Sequence, residues 1–226
     1  MNGILQRRSL VFLAALALIG AGAFWATSSM AAGPQRHMLP NKASDVPVQC
    51  DQPVFEEEGH NVNIPDIGSF QEGPASEPTR ILVDVESPFI AKSGLKTVPL
   101  RLISIGAKGF AEGIGETRFW LDPTRPVQSA IWEKRAGTEF PAIQEMRFHF
   151  FYTLEAMPGK VYRSINPARM RSDNVLSFPP SPGTVYRLAE PVQLEDISRP
   201  GVVAGTVLTN RAVVRRQMPG WERPVQ

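Results

Sequence analysis

Cysteine is nearly absent from this chain: Cys50 is the only one in 226 residues. No intrachain disulfide can form, so the fold must be held by burial and backbone pairing, which this length makes feasible. Histidine is scarce as well, with only His37, His60 and His149. No two of these stand at metal-ligand spacing, and Cys50 has no Cys-x-x-Cys partner. A metal site is therefore not expected; His60 and His149 are the weak candidates, and only the fold could bring them together. Catalytic signatures are missing too. There is no Gly-x-Ser-x-Gly elbow, and the glycine-rich "GAKGFAEGIGE" lacks the Gly-Lys-Ser/Thr of a phosphate loop. A long hairpin loop with glycines at positive φ explains that stretch better. Asp51 beside Cys50 opposes thiolate formation, which argues against a nucleophilic cysteine. No cofactor motif is present. A helical period is also lacking: the best helix candidate, "SAIWEKRAG", is short.

The chain does contain an apolar run at its start. "MNGILQRRS" carries Arg7 and Arg8 and no acid, "LVFLAALALIGAGAFWA" is uninterrupted apolar sequence, and "TSSMAAGP" supplies small residues. Positive start, apolar middle and small-residue exit are the parts of a secretory signal peptide. Ser29 and Ala31 fit a cleavage site, giving a signal over residues 1–31 and a mature chain starting near Ala32. The run falls short of the roughly 20 residues of a comfortable membrane span. The membrane is therefore expected to be met only through this segment, if it stays uncleaved. "RRSLV" resembles a twin-arginine export signal of the bacterial type, with Gln6 where Ser or Thr is usual. Cleavage would remove two arginines and no acid, leaving 22 basic against 22 acidic side chains. A protein without net charge has no long-range field to draw in nucleic acid, so nucleic acid is not an expected partner.

Past the signal, residues 32–79 read as an irregular leader rich in Pro, Gly, Asn and Ser, within which "VPVQC" and "NVNIPDIGSF" could pair briefly. From residue 80 the texture changes to period two. "RILVDVES", "TVPLRLISIGA", "TRFWLDP", "EMRFHFFYTLEA" and "TVYRLAEPVQLEDIS" alternate apolar and polar positions between Pro-Gly, Asp-Pro and Ser-Pro-Gly punctuators. The 21 prolines and 18 glycines suit short strands and turns better than helices. Closely spaced strands favour antiparallel pairing. The fold class read from this is all-β: an antiparallel β-sandwich over 80–216, with a C-terminal tail over 217–226. In layout alone it resembles an immunoglobulin- or fibronectin-type sandwich; the Cys–Trp–Cys hallmark is absent, so membership does not follow.

In "EMRFHFFYTLEA", Met146, Phe148, Phe150, Tyr152 and Leu154 form one apolar row. Glu145, Arg147, His149, Phe151, Thr153 and Glu155 fall on the other face, and His149 reads there as an ordinary outward residue. Phe151 on that face implies either a covering segment or an interaction surface. "YRSINPARMRSD" places Arg163, Arg169 and Arg171 in a loop, and Trp221 stands alone in the tail. Arg and Trp are the residue types enriched at interface hot spots, which makes these four, with Phe151, the binding candidates. Glu145 and Glu155 are too far apart along one strand to act as a glycosidase pair. The expected function is that of an exported, non-catalytic binding or accessory module, periplasmic or extracellular, whose partner is another envelope or secreted protein. The alternatives are a carboxylate-based hydrolase or carbohydrate-active enzyme using Trp120 or Trp132, and a metal-binding envelope protein using His60 and His149.

Overall fold

Alternation of side chains along the chain becomes a wholly antiparallel fold. The computed structural model describes Leu39, residues 49–75 and residues 79–216. Residues 1–31, expected to be a signal, His37 and residues 217–226 with Trp221 lie outside the described residues. Among the described residues there is no helix, and the 14 strands join in one hydrogen-bonded sheet. In chain order they are β1 (Gln49–Ile64), β2 (Gly68–Glu72), β3 (Thr79–Val85), β4 (Phe89–Ile90), β5 (Lys96–Ala111), β6 (Gly115–Leu121) and β7 (Gln128–Arg135). There follow β8 (Thr138–Phe148), β9 (Phe150–Leu154), β10 (Tyr162–Ser164), β11 (Ala168–Val175), β12 (Val185–Leu188), β13 (Val192–Asp196) and β14 (Val203–Arg216).

All-β and antiparallel is the expected class, but the pairing is not that of two separate sheets. The ladders close into two rings. One runs β1–β3–β5–β7–β8–β11–β12–β14 and back to β1. The other runs β1–β2–β5–β6–β9–β10–β13–β14 and back to β1. The long strands β1, β5 and β14 belong to both rings. Strands β8 and β9 continue one another across His149, β8 serving the first ring and β9 the second. Ring closure leaves few unpaired strand edges, which a disulfide-free chain would otherwise expose to aggregation.

The leader assignment needs correction. Residues 49–72 are β1 and β2, and β1 lies between β3, β2 and β14. Its composition hides this, because the acids and asparagines of "FEEEGHNVNI" are polar while the pairing partners of β1 lie as far away as β14. Cys50 is in β1, paired with Val83 of β3. The helix candidate "SAIWEKRAG" is strand β7 and its turn. The glycine-rich loop is mostly strand too: β5 and β6 form a long hairpin, and only Gly113 and Gly115 at its tip take positive φ. "YRSINPARMRSD" is not a loop, since Arg163 sits in β10 and Arg169 and Arg171 in β11.

The core follows the predicted row. Met146, Phe148, Phe150, Tyr152 and Leu154 are all buried, alongside Val62, Ile64, Val83, Leu100, Ile131, Tyr162, Tyr186 and Leu194. Leu39 is buried as well; its N–H donates to Glu139 Oε2 at 2.9 Å, and its carbonyl accepts from Lys96 Nζ at 3.0 Å.

Candidate functional site

An apolar cavity lies where the two rings meet. It is walled by Ile81, Ile105, Phe119, Met146, Phe148 and Phe150 on one part, and by Ala168, Met170, Leu188, Val192, Val207 and Ala212 on another. Both rings thus supply its walls. Its non-atom space, mouth included, is about 630 Å³, of which the centres of water molecules can occupy about 50 Å³. Three polar side chains complete the lining: His60, Tyr152 and Asn210.

These polar residues reach the interior through strand phase. His60 is in step with Val62 and Ile64, the buried row of β1. A bulge between Glu57 and His60 shifts the register against β14. Gly59 makes the bulge possible: its φ is +104°, and a Cβ there would lie 2.3 Å from the Glu72 carbonyl oxygen. His60 then stands opposite Glu72 of β2 and Asn210 of β14, so three adjacent strands carry Glu72, His60 and Asn210 in a row. Tyr152 is in step with Phe150 and Leu154 on β9, and Thr117 with Phe119 on β6.

Glu72 is the hub of this cluster. His60 Nε2 lies 2.7 Å from Glu72 Oε2, with only 5% and 4% of the two side chains exposed. The Tyr152 hydroxyl donates to the same oxygen at 2.7 Å, and the Thr117 hydroxyl donates to Oε1. Burial pushes the carboxyl up. Hydrogen bonds and charge from His60, with the two hydroxyls, outweigh that and hold it below the usual carboxylate range. Gly109 of β5 leaves room for this side chain: a Cβ there would meet Glu72 Oε1 at 1.9 Å. The rings of His60 and Tyr152 are 6.1 Å apart at a tilt of 59°.

The fold has a known counterpart. This chain is similar to DynF from the dynemicin biosynthesis pathway of Micromonospora chersina. The two superpose with a TM-score of 0.62 at 17% identity, over 84% of this chain and 88% of DynF, a likeness of fold alone. No family model matches the sequence, and no curated protein matches it.

The residues singled out from sequence fall elsewhere. His149 is buried rather than outward and solvated, with 7% of its surface exposed. Its Nδ1 is 3.0 Å from Ser164 Oγ, which also accepts the N–H of Phe150. The loop over residues 122–127 covers it: Asp122 N–H donates to the His149 carbonyl, and Arg125 donates to the carbonyls of Ser164 and Ile165. Burial, and then the Arg125 guanidinium, hold this imidazole below its usual range. His149 is out of phase with the cavity row that faces His60. Among the described residues no three His, Cys, Asp or Glu side chains come together to hold a metal.

Phe151 is half-buried and stacks on Trp120, ring centroids 5.6 Å apart. Glu145 is not solvated on the outward face but buried beneath arginines. Arg169 Nη2 reaches it at 3.0 Å, Arg147 bonds the other oxygen, and Arg171 stands 3.9 Å away. Arg171 also lies over Trp132, 5.7 Å from the ring centroid, and borders a polar surface groove with Asp173, Thr184 and Arg187. Arg163 pairs with Glu195 at 2.8 Å. All three arginines proposed for binding therefore already have carboxylate partners. Neither Trp120 nor Trp132 lines the cavity, and among the described residues no carboxylate does. Sequence reading passed over Glu72, Thr117 and Asn210. The alternation in "HNVNI" was the available signal: it puts His60 in the buried row and Asn61 and Asn63 outside.

Proposed function

We propose that this chain is an exported, non-catalytic binding protein whose ligand site is the apolar cavity between the two strand rings. One observation carries the reading: hydrophobic side chains of both rings enclose a space with a few polar groups gathered at one place, the usual composition of a small-molecule site. Closed rings of eight strands have interiors of the size that side chains nearly fill or that hold one small ligand. The buried polar cluster supplies orientation, and Glu72 stands behind it, out of the lining, as its anchor.

Residues 1–31 support export to the periplasm or beyond, and the paired Arg7 and Arg8 resemble in part a twin-arginine signal, the route that carries folded chains. An envelope or secreted partner is the expected recipient or donor of the ligand.

The test of binding uses the uncharged fluorophore N-phenyl-1-naphthylamine with the purified chain. We expect saturable enhancement of its fluorescence, lost in Ala168→Phe, which fills the cavity, while the thermal transition is kept. Enhancement unchanged in that variant would place the fluorophore elsewhere and defeat the reading. For export, N-terminal sequencing of the protein from the envelope fraction should begin near Ala32. Replacing Arg7 and Arg8 by lysine should block export if the route is twin-arginine, and unchanged export would remove that route.

A further inference from the structure

The charge of the cavity limits what can enter it. Of its described lining residues, only His60 can carry a positive charge. That histidine is committed to Glu72 at 2.7 Å, inside the protein. With the carboxylate ionised, the pair is neutral when His60 is protonated and carries one negative charge when it is not. In neither state does it offer the cavity a net positive charge. A ligand carboxylate entering here would be desolvated beside Glu72 with no cation of its own, which low-dielectric surroundings penalise heavily. The head of the ligand must therefore be neutral.

The hydrogen-bonding chemistry of that head follows from Asn210. Its side chain lines the cavity beside His60, across the β1–β14 pair. Its Oδ1 is enclosed and, among the described residues, receives no hydrogen bond. An enclosed carbonyl oxygen calls for a donor, and an alkane, ether or ester oxygen supplies none.

We propose that the cavity takes a neutral apolar molecule bearing a hydroxyl group, which donates to Asn210 Oδ1, and that it discriminates against the corresponding carboxylate. This inference rests on the binding function proposed above and names its ligand class. The hydrocarbon part packs against Met146, Met170 and the phenylalanines, whose thioether and ring surfaces adapt to irregular chains.

The experiment is competition for N-phenyl-1-naphthylamine by 1-octanol, its methyl ether and octanoate, at neutral pH on the full mature chain. We expect 1-octanol to displace the fluorophore about tenfold more tightly than the ether, the worth of one satisfied hydrogen bond, and by a wider margin than octanoate, whose charge would be buried unpaired. Octanoate binding as tightly as the alcohol, or more so, overturns the neutral-ligand assignment. An ether equal to the alcohol overturns the role of the donor. Either result leaves the binding function standing, whereas a fluorophore that does not bind at all removes that function and this inference together. Two variants sharpen the assignment. Asn210→Leu should bring alcohol and ether to equality. Glu72→Gln, which removes the fixed negative charge, should improve octanoate relative to 1-octanol. An alcohol preference that survives Asn210→Leu, or octanoate unmoved by Glu72→Gln, counts against it. The comparison on the unmutated chain decides the matter even if a variant fails to fold.

Discussion

Glu72 and Glu145 are buried to nearly the same degree, 3% and 2% exposed, and both are held below the usual carboxylate range. Their surroundings differ. Glu145 lies on the outer wall beneath Arg147, Arg169 and Arg171, whose guanidinium groups remain partly in water. Its burial is made by its own partners, so the charges stay hydrated on one side. Glu72 points into the fold, where its partners are an imidazole and two hydroxyls, all buried. The first arrangement is a surface ion-pair fan turned slightly inward. The second is an interior polar cluster beside an apolar cavity, where every lost partner leaves another group unsatisfied.

That contrast can be broken most directly at Glu72 itself. Glu72→Leu should cost about 3–5 kcal/mol in urea denaturation, because it leaves His60, Tyr152 and Thr117 buried without their shared acceptor. Gly109→Ala comes next, at about 2 kcal/mol, since its methyl group would occupy the place of Glu72 Oε1. In a Glu72→Ser background the same alanine should cost far less, and additive effects in this double-mutant cycle would mean that Gly109 does not make room for Glu72. Glu145→Gln should cost less, about 1–2 kcal/mol, and the difference from wild type should shrink in high salt. If Glu145→Gln proved as damaging as Glu72→Leu and insensitive to salt, the two carboxylates would not differ as argued.

The smallest effect is expected at His149 and is one of pH. Its imidazole is held below the ordinary histidine range, so the unfolded chain binds the proton more readily. Stability should fall as pH drops through that range, and His149→Gln should flatten the slope there. The carboxylates act in a lower window. Glu72 and Glu145 are depressed, so their contribution is present above the unfolded value near 4.3 and disappears as pH falls through the folded one. Equilibrium unfolding across the two windows, in wild type and His149→Gln, separates the contributions.

Particular residues show how far sequence reading reached. The row Met146–Phe148–Phe150–Tyr152–Leu154 was legible because alternation is local, and each member is buried. The opposite row misled: His149 and Glu145 looked solvated, yet the 122–127 loop covers one and arginines from β8 and β11 cover the other. Both covers include groups distant in the chain. Strand β1 was concealed by its polar residues, although "HNVNI" carried the same alternation in short form. Arg163, Arg169 and Arg171 read as a loop because Ile165, Asn166 and Pro167 interrupt the pattern between β10 and β11.

By itself the sequence determined that the chain would alternate, pair antiparallel and hold together without a disulfide. Side-chain phase, turn residues and a single cysteine are local properties that need no knowledge of partners. Tertiary structure alone decided which strands close the rings, and therefore that Glu72, His60, Thr117, Tyr152 and Asn210 meet beside one cavity. Phase tells each strand which face to bury but leaves open which strand lies next to it. That choice depends on the summed pairing and packing of segments as distant as β1 and β14.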